Sequence, residues 1–147
     1  MRRRALAAML AMATCCAMTG ARAQAPSDVL DITVTGVRNA AGHIRVAVCT
    51  RRDFLQPHCA RDASAPARAG SVTLRVPDVP PGVYAVQAWQ DENDNGKIDT
   101  SLLGIPREGI GFSRDAPFRF GPPSFDDAAF RLAPEGGAIT LRLRYFG

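Results

Sequence analysis

The sequence predicts an all-β fold, a single antiparallel β-sandwich. Three observations carry that reading. Apolar and polar residues alternate in short runs, Gly and Pro punctuate the runs, and nothing after the first 23 residues repeats with a helical period. With 147 residues, 46% of them hydrophobic and 22% charged, the chain suits one globular domain rather than two.

The first segment is a targeting signal rather than part of the domain. Met1-Arg2-Arg3-Arg4 is a positive start, residues 5–20 are uncharged and mostly apolar, and Ala21-Arg22-Ala23 ends in a small-residue cleavage pattern. The apolar run is shorter than the roughly 20 residues needed to span hydrocarbon, so a retained anchor fits less well. A lipid-modified Cys15 or Cys16 fits poorly too, because no good lipobox precedes either residue. Residues 1–23 are therefore expected to be a signal peptide and residues 24–147 the β-sandwich domain. The mature protein is expected to be exported, to a periplasm or to the extracellular space, with no membrane span.

Strands follow in order. Leu30, Ile32 and Val34 alternate with Asp31, Thr33 and Thr35; Ile44, Val46 and Val48 alternate with Arg45, Ala47 and Cys49. Val72, Leu74 and Val76 form a third alternating run. Residues 83–90 are largely apolar on both faces, which suits a central strand. Residues 128–132 make a short candidate, and Ile139, Leu141, Leu143 and Tyr145 define the last run, a candidate edge. Arg142 and Arg144 on that run read as its wet face rather than as an anion site. Turn signals separate the runs at residues 39–42, 77–82 and 134–137. About six to eight short strands of this kind match an immunoglobulin-like or transthyretin-like sandwich.

Charge and cysteine content narrow the function. Without Arg2, Arg3, Arg4 and Arg22, the 18 basic residues fall to 14 against 14 acidic ones, so the mature chain is neutral. A basic footprint for nucleic acid is missing. Cys49 and Cys59 remain after cleavage, and an oxidising compartment makes a disulfide the default. Metal binding by this pair with His58 lacks a fourth ligand.

Two stretches break the strand-and-turn pattern. Residues 104–127 hold four Gly, four Pro and four of the seven Phe, and are expected to lie over one end or edge of the sandwich with their rings buried. The other is Asp91-Glu-Asn-Asp-Asn-Gly-Lys-Ile-Asp99. It places side-chain oxygens of Asp91, Asn93, Asn95 and Asp99 at positions 1, 3, 5 and 9, a Gly at 6 and the Lys97 carbonyl at 7. That is the ligand order of a Ca²⁺ loop built from hard oxygen donors. Position 12 is Leu102 instead of a bidentate acid, so Glu108 is a candidate to complete the shell. The competing reading is a plain turn, with Asp and Asn making Asx-turns and Asn95-Gly96 supplying the positive φ.

Four ordered motifs resemble the bacterial domain-of-unknown-function 2141 family: Pro80-Pro-Gly-Val-Tyr-Ala-Val, the 91–99 loop, Gly104-Ile-Pro-Arg-Glu-Gly-Ile-Gly-Phe-Ser113, and Gly121-Pro-Pro-Ser-Phe-Asp-Asp-Ala-Ala-Phe130. The resemblance runs over residues 30–145. It implies a small exported β-sandwich without an assigned activity, with family positions falling on Asp91, Asn93, Asn95, Asp99 and Glu108. Arg114 departs from the Asn that often follows Phe-Ser in the family.

Catalysis is not expected. His43 and His58 lack a nucleophile pattern, Ser113 lacks the second glycine of a nucleophile elbow, and no phosphate loop or zinc constellation is present. The first functional expectation is thus an exported non-catalytic module that binds Ca²⁺ weakly at 91–99. The alternative is a metal-free envelope binding or accessory protein that uses the Phe-rich 104–127 loop for a protein, glycan or apolar ligand. Either way the partner is an envelope or extracellular molecule of unknown identity.

Overall fold

The computed structural model describes residues 28–146; the expected signal peptide, with Cys15 and Cys16, lies outside the described residues. Eight strands form two sheets: β1 (Leu30–Val37), β2 (His43–Cys49), β3 (Arg61–Pro66), β4 (Gly70–Val76), β5 (Gly82–Asp91), β6 (Ile110–Phe112), β7 (Phe130–Leu132) and β8 (Gly137–Arg142). One sheet has the order β4-β1-β8; the other runs β3-β2-β5-β6, with β7 also pairing β5. The all-β sandwich of the sequence reading is what the chain adopts.

Alternation explains the layers. Leu30, Ile32 and Val34 of β1 face Ile44, Val46 and Val48 of β2 across one core, and all six are fully buried. Tyr84, Val86 and Ala88 of β5 join the same core from the middle of the larger sheet. At ~25 cal/mol per Å² of apolar surface removed from water, such rows are the main favourable term for the fold.

Several expectations are corrected by packing. The sandwich is not wholly antiparallel, because β8 runs parallel to β1. The edge strand β3, Arg-Asp-Ala-Ser-Ala-Pro, shows no buried residue and so leaves no apolar alternation to read. The 128–132 candidate divides into α1 (Phe125–Ala128), begun by a Ser124–Asp127 capping box, and the short β7. The Arg142 strand is an edge of its sheet as expected.

The Phe-rich segment covers a face rather than an end. Ala47, Cys49 and Ala85 point to the outer side of the larger sheet, where Phe54, Phe112, Phe125 and Ala128 form a second cluster over them. The rings of Phe112 and Phe125 both meet Phe54 edge-on. Burial of all four loop rings is overturned for two: Phe118 is half-buried against Phe146, and Phe120 is fully exposed. Cys49 and Cys59 form a disulfide that ties the Phe54 loop to the end of β2.

Candidate functional site

Strand β5 ends inside the protein rather than at its surface. Its last two residues, Gln90 and Asp91, are polar and fully buried, so each needs partners. Gln90 lies on the inner face and donates to Asn39 Oδ1 at 2.7 Å and Ala41 O at 3.1 Å, while accepting from Tyr145 Oη at 2.6 Å. Asp91 lies on the outer face. Its Oδ1 accepts the Asn95 N–H at 3.0 Å; its Oδ2 accepts the Gly96 N–H at 2.8 Å and Arg45 Nε at 2.5 Å. Burial pushes the Asp91 carboxyl up, but these three donors together outweigh it and hold the group below the usual carboxylate range.

The loop is folded by its own side chains. Asn93 Oδ1 accepts from Asn95 N–H and Asn95 Oδ1 from Lys97 N–H, the Asx pattern that turns alternate oxygens inward. Asn93 Nδ2 and Asn95 Nδ2 both donate to Asp99, at 2.7 and 2.9 Å. Gly96 has a φ of 76°, as the Asn-Gly turn requires. Gly42 gives the loop room from the other side: a Cβ there would fall 1.8 Å from Asp91 O.

Glu108 closes the far end. Only 5% exposed, it accepts the Glu92 N–H with Oε1 at 3.0 Å and the Asp99 N–H with Oε2 at 3.1 Å. One carboxylate thereby grips both ends of the loop. Burial raises its pKa above the usual range, the two N–H donors oppose this, and the nearby charges of Asp99 and Asp91 add to the rise. Outside this grip, Arg38 pairs bidentately with Glu92, and His43 Nδ1 lies 2.6 Å from Asp94 Oδ1.

The donor set answers in part to a hard cation. Asp91, Asn93, Asn95 and Asp99 come together, and apart from the Lys97 ammonium the polar side chains of the loop are carboxylates and amides. Lys97 enters the network through its N–H, and Glu108 already accepts backbone bonds with both oxygens. Among the described residues, no three acidic, His or Cys side chains gather as a metal-holding group. Arg45, moreover, places a resident positive charge on Asp91. That contact has no local signature, because Arg45 sits where a strand simply shows its solvent side. Tyr145 and Asn39 likewise join from segments far away in the chain.

These features sit within a known sequence family. The family model for an uncharacterized protein conserved in bacteria (DUF2141) matches residues 32–140. The chain belongs to that family. Its matched region takes in all eight strands in whole or part, the acidic loop and Glu108. Comparisons with curated proteins and with solved structures returned no match.

Ser113 takes a structural part in this member of the family. Its buried hydroxyl donates to Ala128 O and accepts the Val86 N–H, linking α1 to the middle of β5. No helix among the described residues is long and apolar enough to cross a membrane.

Proposed function

We propose that the protein is an exported, non-catalytic β-sandwich module whose 91–99 loop binds Ca²⁺ weakly. The observation that carries this reading is the meeting of Asn93 and Asn95 at Asp99, beside the Asx-bonded Asp91. Those four side chains would hold the ion, with the Lys97 carbonyl as a further donor. The ion would supply positive charge beside Glu108, whose carboxyl lies in the field of the Asp99 and Asp91 charges. Glu108 fixes the two loop ends through the Glu92 and Asp99 N–H groups and so sets the spacing of the donors. With Arg45 already on Asp91 and no bidentate acid at position 12, affinity belongs in the weak range, of order 10⁻⁴–10⁻³ M. The export reading is supported by the basic, then apolar, then small-residue pattern of residues 1–23. A non-catalytic role is supported by Ser113, whose hydroxyl is held between two backbone groups rather than presented to a cleft.

Thermal melts in EDTA, millimolar Mg²⁺ and millimolar Ca²⁺ test it. A melting temperature that climbs with Ca²⁺ and not with Mg²⁺, and stops climbing in Asp99→Asn, supports the site. An unchanged melt at several millimolar Ca²⁺ returns the loop to turn chemistry.

A second reading has its own observation. Phe120 is fully exposed, as are Leu102 and Leu103 at the tip of a tight turn closed by a 2.9 Å bond from Gly104 N–H to Ser101 O. Large apolar side chains left in water at loop tips mark contact surfaces. Under this reading the protein is a metal-free envelope binding or accessory protein that works through the 104–127 loop and its neighbour. An apolar fluorescent dye bound by the protein and lost in Phe120→Ser with Leu103→Ser supports it; dye binding unchanged by both substitutions removes it.

A further inference from the structure

Trp89, the single tryptophan of the chain, stands between two depressions on the outer face of the larger sheet. The first encloses about 230 Å³ and is bordered by Arg45, His58, Asp62, Gln87 and Trp89. The second, about 380 Å³, is bordered by Leu55, Lys97 and Ile98 and shares Pro57, Gln87, Trp89 and Gly96 with the first. Trp89 thus borders both halves of a double cleft. Its Nε1 is closed to bulk water and has no hydrogen-bond partner among the described residues. A buried indole N–H normally has an acceptor, so this donor is an exception in the structure.

We propose that the double cleft binds a neutral oligosaccharide, with one sugar ring in each depression. Four features favour that class. The two depressions, about 230 and 380 Å³, adjoin through four shared bordering residues, which gives two neighbouring compartments rather than one deep pocket. The border of the first mixes donors (Arg45, Gln87) with an acceptor (Asp62), matching hydroxyl groups that both give and take protons. The Trp89 indole offers an apolar ring surface, which a sugar's C–H face can meet. Charge does not select an anion in the first depression, because Arg45 is already paired with Asp91 at 2.5 Å and Asp62 stands on the same border.

The walls are held before any ligand arrives. The Cys49–Cys59 disulfide fixes the segment that carries Pro57 and His58. The Asp91 bonds to Asn95 and Gly96 fix the opposite wall. A site with immobile walls loses little freedom on binding, which favours small polar ligands. The Ca²⁺ loop reading is not needed for this site; only the turn geometry of 95–96 is.

Trp89 fluorescence and titration calorimetry test the proposal on the whole protein in EDTA. The probes are cellotriose, maltotriose and N,N′-diacetylchitobiose, with sodium acetate and an anilinonaphthalene dye as controls. A saturable emission change and measurable heat with at least one sugar, and with neither control, is the expected result. Asp62→Ala and Gln87→Ala, checked by thermal melting to be folded, should each weaken it about tenfold, the size of one lost hydrogen bond to a neutral partner. Trp89→Phe, followed by calorimetry alone, should weaken it while leaving the fold intact. No heat and no emission change with any of the sugars overturns the proposal. So does binding that survives both polar substitutions, or a response to acetate or the dye in place of sugar.

Discussion

Arg45 Nε donates to Asp91 Oδ2 across 2.5 Å, joining β2 to the last residue of β5 where the acidic loop begins. Asp91 is fully buried while the Arg45 side chain is about one third exposed, so the carboxylate depends on this pair more than the guanidinium does. Removing one partner of a buried pair costs about 3–5 kcal/mol when the remaining charge cannot reach water. Arg45→Ala is expected to fall near the lower end, because Asp91 keeps its two N–H donors. Asp91→Ala should cost more, since it also frees the Asn95 and Gly96 N–H groups. Urea unfolding of both variants checks the order; equal losses would contradict it.

The same carboxylate gives an acid-side signature. A folded-state pKa held below the unfolded value adds stability that is present above the unfolded value. That stability disappears as pH falls through the usual carboxylate range toward the lowered folded value. Asp91→Asn should therefore flatten the acid limb of the stability curve and leave the neutral limb in shape. Melting temperatures followed from pH 7 into acid supply the test.

Glu108 should act with the opposite sign. Its folded pKa is raised, so between the unfolded and folded values the native state holds more proton than the unfolded chain. Stability then falls as pH climbs through that window and levels off above it. Glu108→Gln removes this slope but leaves one of the two N–H groups, of Glu92 or Asp99, without a good acceptor, at about 1–3 kcal/mol. A variant that is both less stable at neutral pH and less pH-sensitive above the usual carboxylate range is the expected outcome. A pH slope unchanged from the parent would show that Glu108 is not its source.

The two kinds of phenylalanine in the 104–127 segment separate packing from exposure. Phe125 is buried, meets Phe54 at 5.8 Å between ring centres, and carries Arg51 over its face. Phe125→Ala is expected to cost about 3–5 kcal/mol, as for other large core truncations. Phe120→Ser touches nothing buried and should stay within about 0.5 kcal/mol of the parent. Chemical unfolding of the pair checks the contrast, and a costly Phe120→Ser would mean that this ring packs in solution.

What was legible in the sequence followed from burial. β1, β2 and β4 show their alternation because one face of each meets the inner core, whereas β5 reads as apolar on both faces because the Phe-rich cluster covers its outer side. β3 and β6 escaped for opposite reasons: one buries nothing, and the other is three residues long and buried on both faces. The acidic loop could be found from its spacing, since Asx turns are local. Its closure could not, because Glu108, Arg45 and the Gln90–Tyr145 contact join residues distant in the chain. The Phe-rich segment announced an apolar purpose but not which rings would reach the sheet. That choice depends on where α1 and Ser113 dock.

The disulfide offers the last test, because its effect should be confined. Cys49 is fully buried at the end of β2, and Cys59 borders the cleft beside Trp89. Closing so short a loop is worth roughly 3 kcal/mol through the unfolded chain. Cys49→Ala with Cys59→Ala should therefore lower stability by about 2–4 kcal/mol. It should also change the environment of Trp89, since Gln87 Nε2 donates to Cys59 Sγ at 3.8 Å and Gln87 shares the Trp89 face of β5. The Asp91–Glu108 network shares no hydrogen bond with either sulfur. Its pH signature should persist in the variant. Loss of both the Trp89 signal and the pH signature together would mean that the disulfide holds the whole outer face rather than one wall of the cleft.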